Sequence, residues 1–338
     1  MIMLSKPIFR PLLVGSAMTV VLALALAAGG PARAAGTGYI FVSNERTNNV
    51  LVYDPKKDYA QIKDIKTSRR PREIKFNAAH TLLYAACGDD DVIDVIDVAT
   101  LKVVDHIPTA RSPEMFVVSR DDKTIYVSNE ENSSVQEIDV ATKTIVHEVP
   151  TGAEPEGVML SEDESILYAT SEIADMVHVI DTAQGAVTDN IIVGTRPRRF
   201  MLTPDMKYLW VSDELSGQVS IIDRKTDEVV DTLEFLPPGF RKTDVTPVGM
   251  ALSDDGKTAF ISMGRANHIA FVDIATHKVQ TYVLVGSRAW NITESPDHKY
   301  LYIANGLSDD VSIIDLASRK NIRTIPAGRT PHSVLVDG

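Results

Sequence analysis

The sequence predicts an all-β, seven-bladed β-propeller with four antiparallel strands per blade. Three observations predict it. An aromatic residue recurs in an apolar run at Phe41, Tyr84, Tyr126, Tyr168, Trp210, Phe260 and Tyr302, at spacings of 43, 42, 42, 42, 50 and 42 residues. Each period reads as four short strands separated by polar turns, with no helical periodicity between them. Each run is followed by a second strand ending in Ile-Asp or Val-Asp. A period of about 42 residues carrying four strands is the length of a propeller blade.

Taken in order, each period opens on a strand such as "TIYVSN", Thr124 to Asn129. A polar turn leads to the strand closed by Asp97, Asp139, Asp181, Asp223, Asp273 or Asp315, with Asp54 in the first, weaker copy. Thr100, Thr142, Thr226 and Thr276, and Ser318 in the last copy, stand three residues after such an aspartate. Asp and Thr at this spacing bond turn amides, so they are turn formers and not a site. A third strand follows, as in "KTIVHEVP", then a proline turn and a fourth, as in "EGVMLS". The first copy begins on its second strand, "YIFVSN", and the chain ends on an unpaired strand, "HSVLVD". The last strand is therefore expected to complete the first blade and lock the ring, because one blade alone cannot bury both faces of its sheet.

Residues 1–34 read as a secretory signal peptide. Lys6 and Arg10 precede the apolar run Pro11 to Gly30, and Ala32-Arg33-Ala34 is a small-x-small cleavage site. Residues 35–338 form one propeller domain in this reading, located in the periplasm, a monomer with no membrane span once the leader is cleaved. Cleavage removes three basic residues and no acidic ones, so the net charge moves from −12 to −15. That balance argues against nucleic acid and anionic membranes as partners. The single Cys87 lies in "LLYAACG" and reads as a buried structural thiol.

The repeats resemble the YVTN family of β-propellers, on "YVSN" at Tyr126 to Asn129, "YIAN" at Tyr302 to Asn305 and "VIDVAT" at Val95 to Thr100. The whole chain is most similar to the periplasmic propellers found beside pyrroloquinoline quinone (PQQ)-dependent alcohol oxidation systems. That resemblance implies a non-catalytic binding or accessory protein linked to such a system. It does not extend to the PQQ dehydrogenases themselves, which carry tryptophan-docking repeats and a vicinal cysteine pair.

Function is expected where the repeats differ, on loops gathered by a rigid scaffold. The loop entering each innermost strand is marked by Pro71, Pro113, Pro155, Pro197, Pro247, Ala289 and Pro331. The residue after the marker reads Arg72, Glu114, Glu156, Arg198, Val248, Trp290 and His332 around the ring. The residue before it reads Arg70, Ser112, Glu154, Arg196, Thr246, Arg288 and Thr330. From these, Arg70, Arg72, Glu114, Glu156, Arg196, Arg198, Arg288, Trp290 and His332 are the candidate binding residues of the channel mouth. They suit a small anion, with arginines as carboxylate clamps, or a periplasmic partner protein. A self-neutralising Arg/Glu network that fills the channel is the competing account. Glu45, Glu130, Glu172 and Glu214 add an acidic rim. The eight extra residues of the longest period lie in Leu233 to Pro247. There Phe235, Phe240 and Arg241 are expected to stand proud of the ring as a partner loop.

No catalytic residues, cofactor or metal ligands are assigned. There is no Cys-x-x-Cys-His, no Gly-x-Ser-x-Gly and no close histidine pair. The alternative to an accessory protein is a propeller enzyme of lactonase or lyase type. Its site would lie at the channel mouth, with Glu114 or Glu156 as base and His332 as acid.

Overall fold

The computed structural model describes residues 36–338. The leader expected over 1–34 lies outside the described residues. Among the described residues twenty-eight strands, β1 to β28 in chain order, form seven four-stranded sheets. The first sheet joins the C-terminal strand β28 (Pro331–Val336) to β1 (Ile40–Asn44), β2 (Asn49–Asp54) and β3 (Ala60–Lys66). Its register runs Ile40 to Val336, Phe41 to Leu335 and Val42 to Val334, so the last strand does close the first blade. Among the described residues no helix is long and apolar enough to cross a membrane.

Burial follows the radius of the ring. In β1 and β2 every residue is buried, whereas in the outermost strand β3 only Ile65 is. The middle strands have apolar residues on both faces because a blade packs against two neighbours. Ile40 and Val42 pack with Tyr302, Ala304, Val311 and Ile313 of the preceding blade. Phe41, Val50 and Val52 turn the other way, onto Ile74, Leu83 and Ala85 of the next. Side-chain alternation with period two makes this possible and would not survive a one-residue slip. The recurrent aspartates behave as turn formers. The Asp97 carboxylate accepts from the Thr100 amide at 2.7 Å and hydroxyl at 2.6 Å, and Asp139, Asp273 and Asp315 repeat the pair. Cys87 is wholly buried, and burial pushes its thiol well up.

The long period departs from expectation. Phe235 is 2 % exposed and packs with Trp210, Val245 and Ala266, and Phe240 lies edge-on to His268 at 5.4 Å. The extra residues fold back over the seam between two blades, where apolar side chains gain burial. The Leu236 amide donates to the Tyr282 hydroxyl at 3.0 Å. Of the three residues expected to protrude, only Arg241 is exposed, paired with Asp244 at 3.0 Å. The segment is a cover, not a protruding aromatic loop.

Candidate functional site: the mouth of the central channel

Three local features aim the variable residues. The residue before the strand marker has left-handed backbone in six blades: Arg70, Ser112, Glu154, Arg196, Arg288 and Thr330 have φ between 55° and 61°. Five of these amides are held by an Asn or Asp side chain, as with Arg288 N–H to Asn267 Oδ1 at 2.8 Å. The innermost strand then bulges. In β4 (Pro71–Phe76), β8 (Pro113–Val118), β12 (Pro155–Leu160), β16 (Pro197–Leu202), β24 (Ala289–Glu294) and β28, two residues oppose one between the marker and the third residue on. A bulge re-aims side chains and raises local twist, so residues one and two after the marker both serve the channel.

Hydroxyls from the second strands stitch the bulges together. Ser43 donates to the Arg72 carbonyl at 2.5 Å, Ser128 to that of Glu156 at 2.5 Å, Ser212 to that of Val248 at 2.8 Å and Ser262 to that of Trp290 at 2.9 Å. Thr170 reaches the Arg198 carbonyl at 3.3 Å. These hydroxyls bind five blades each to the next at the point where the next presents its channel residue, and Ala86 and Ala304 hold the position in the other two.

Four consecutive blades build a charge lattice. Arg70 meets Glu114 at 2.6 Å, and Arg72 pairs with Glu114 and reaches Glu156 at 3.5 Å. Arg198 lies 3.2 Å from Glu156 and 2.7 Å from Glu214 and also pairs with Glu172. Arg196 holds Glu172 at 2.6 Å. Burial alone would raise Glu156, but Arg72, Arg199 and Arg198 hold it well below the usual carboxylate range. Burial, aided by the Glu156 charge, pushes Glu172 up to about 7 against the pull of Arg198 and Arg196.

The other three blades are different. Their residues after the marker are Val248, Trp290 and His332, none of them acidic. Arg288 lies over the Trp290 ring, 4.4 Å from its centroid, and Arg198 approaches the same ring at 5.3 Å. A cavity of about 290 Å³ opens here, lined by Arg46, Arg70, Arg72, Arg196, Arg198, Arg288 and Trp290, with Glu45 and Glu130 as its acids. Chemically it offers guanidinium donors, two carboxylates and one aromatic wall.

Of the expected mouth residues, Arg70, Arg72, Arg196, Arg198, Arg288 and Trp290 line this cavity, as do Glu45 and Glu130 of the rim. Glu114, Glu156 and His332 lie beneath it, at 0 %, 2 % and 1 % exposure. Glu172 and Glu214 are buried as partners of Arg196 and Arg198. This corrects the acid–base assignment. Glu156 is locked to arginines, and burial together with Arg72 and Arg199 holds His332 well below its usual range, hence neutral. Arg199 was not anticipated; it meets Glu156 at 2.6 Å and His332 at 3.5 Å. Glu73 was also missed, and its carboxylate accepts from Ser333 at 2.9 Å. Both sit at the second bulge position, and the available signal was a charged residue where the other blades have Met115, Gly157, Gly249, Asn291 or Ser333. Among the described residues no group of His, Cys, Asp and Glu forms a metal cluster.

Two family models match the chain. The YNCE-like β-propeller model matches residues 26–166 and the seven-bladed β-propeller lactonase model matches 190–321. No curated protein matches it. The periplasmic gluconolactonase of Pseudomonas aeruginosa is 18 % identical, with a TM-score of 0.74 over 89 % of this chain and 99 % of its own. A chain of Kuenenia stuttgartiensis hydrazine synthase is 22 % identical, with a TM-score of 0.73 over 86 % and 99 %. Dihydro-heme d1 dehydrogenase NirN is 16 % identical, with a TM-score of 0.67 over 91 % and 77 %. At these identities the structures speak to the fold. The lactonase-model match overturns the expected non-catalytic accessory role beside PQQ-dependent alcohol oxidation and favours the enzyme alternative. What the comparisons establish is a seven-bladed propeller with YNCE-like and lactonase-like stretches.

Proposed function

We propose that the protein is an exported, monomeric propeller enzyme that opens a small lactone ring by hydrolysis at the channel mouth. The observation that carries this reading is the cavity of about 290 Å³ in which Glu45 and Glu130 face a wall of arginines. The lactonase model spans Arg196, Arg198, Arg288 and Trp290 of that wall, which supports it.

Glu45 is the base in this proposal. It lies 3.8 Å from Arg70 and 4.0 Å from Arg72 and keeps 22 % of its side chain exposed, so water reaches it. It takes a proton from water as the water oxygen bonds to the ring carbonyl carbon. Arg196 and Arg198 stabilise the oxyanion that forms, the role for which preorganised donors are worth most. When the ring C–O bond breaks, the Glu45 carboxyl returns the proton to the departing oxygen, giving a hydroxy acid. A single carboxylate thereby serves both halves of the reaction.

The test is a panel of five- and six-membered lactones offered to purified protein lacking residues 1–34. Hydrolysis is expected, and Glu45→Gln should slow it by about a hundredfold or more while the melting temperature holds. A wild-type protein inert across the panel would overturn the proposal. Cell fractionation with the leader present and deleted tests export to the periplasm.

A further inference from the structure

We infer that the lactone carries a fixed carboxylate, and that Arg288, backed by Trp290, is the residue that selects for it. This rests on the reading of the mouth as a lactone-opening site and adds to it the chemistry of the substrate away from the ring.

Pairing sets Arg288 apart from the other arginines beside the strand markers, and partial burial sets it apart from the exposed Arg46, which lines the cavity without an ion pair among the described residues. Arg70, Arg72, Arg196 and Arg198 each meet a glutamate within 4.0 Å. Arg288 forms no ion pair among the described residues, although it lines the same cavity. Burial lowers its pKa, and Glu45 and Glu214 act on it only from beyond ion-pair distance. A guanidinium removed from water without an anion costs stability, and the cost is recovered when an anion arrives. The Trp290 face beneath it supplies partial compensation and fixes its orientation. Trp290 is itself 5 % exposed, and its indole N–H has no hydrogen-bond partner among the described residues. Two donors are thus short of acceptors on one wall of one cavity.

The repeat shows how the wall was left open. After the turn residue, Glu45, Glu130, Glu172 and Glu214 occupy one repeat position, and Gly306 occupies it beside Arg288. That glycine is not demanded by the backbone. A Cβ there would stand 3.5 Å from the Pro331 carbonyl oxygen and 3.8 Å from that of Arg288, ordinary contacts. At the equivalent Gly264 a Cβ would lie 2.1 Å from Thr246 Oγ1, and φ is +48°. Gly264 is required by its turn. Gly306 is a site where an internal glutamate would fit, and its absence leaves Arg288 for an external carboxylate. The cavity volume suits a five- or six-membered ring bearing one such group.

Calorimetry with cyclopentanecarboxylate and cyclopentanol separates recognition from turnover, since neither probe has a bond to cleave. Wild type is expected to bind the carboxylate at least about tenfold tighter than the alcohol. Arg288→Gln should erase that preference, and Gly306→Glu should erase it by placing an internal carboxylate on Arg288. Melts identify any variant that fails to fold, and the two substitutions act from different blade loops. In the turnover arm, Arg288→Gln should lower kcat/KM for a carboxylate-bearing lactone by about tenfold more than for the unsubstituted ring. Equal binding of the two probes by wild type, or a preference unchanged in Arg288→Gln, overturns the inference. So does a stronger preference for a phosphate-bearing ring. Arg288-dependent carboxylate binding without hydrolysis of any lactone upholds Arg288 as the carboxylate-selecting residue and removes the lactonase reading.

Discussion

The two arcs of the channel mouth share one backbone and differ in how their charges are paired. On the arc built by β4, β8, β12 and β16, arginines and glutamates are packed together, and Arg72 and Arg198 each meet three carboxylates. On the arc built by β20 (Met250–Leu252), β24 and β28, the corresponding residues are Val248, Trp290 and His332, and Arg288 has no acidic partner among the described residues. A buried ion lattice roughly balances desolvation against attraction, so its contribution is rigidity and specificity of arrangement. The unpaired arc has no such balance and is the side on which a ligand changes the energy most.

The largest expected effect comes from removing β28, which belongs to the open arc and closes the ring. A chain ending at Thr330 exposes Ile40, Phe41 and Val42, each wholly buried, along an unpaired edge. It should aggregate or yield to protease, and a full-length melting temperature in the truncated chain would break the case for closure. Next is Arg198→Ala on the paired arc. It takes one partner each from Glu156, Glu172 and Glu214, which keep Arg199 or Arg196, and should cost on the order of a few kcal/mol in a denaturant melt. A loss below about 1 kcal/mol would mean that the lattice is not the stabilising unit described.

A buried carboxylate without a cation sharpens the contrast further. Asp213 accepts from Ser220 at 2.7 Å, and burial pushes it up from 3.8 to about 7. Between those values the folded chain holds a proton that the unfolded chain has released. Stability therefore falls as pH rises from the lower value to the higher, and levels off above it. Asn44, Asn129 and Asn305 stand at the same repeat position, so Asp213→Asn should fold. At neutral pH and above it should be the more stable protein, by on the order of a few kcal/mol. Matching pH–stability curves for the two proteins would refute a raised Asp213. The smallest effect is expected from Arg288→Gln, which should change stability by less than about 1 kcal/mol, opposite in character to Arg198→Ala. Equal losses from the two would erase the distinction between the arcs.

The aromatic spacing, the alternation of the strands and the unpaired "HSVLVD" were enough to specify seven blades and their closure. These are local signals, and a sheet with period two has few ways to satisfy them. The marker position likewise exposed most of the mouth. What the sequence alone could not set was depth. Glu114, Glu156 and His332 lie one residue after the marker, as Arg72, Arg198 and Trp290 do, yet the first three are under the cavity and the last three line it. Side-chain length and the neighbours' charges decide this, and those neighbours come from other blades. Arg199 and Glu73 entered only through a bulge, which is a property of strand pairing. Phe235 and Phe240 read as a protruding loop in the sequence, whereas packing folds them onto Trp210 and His268. The chain by itself determined which residues recur and therefore how the ring is made. Tertiary structure decided which charges find partners, because pairing depends on distances between residues more than 40 positions apart in the sequence, as in Arg199 with Glu156.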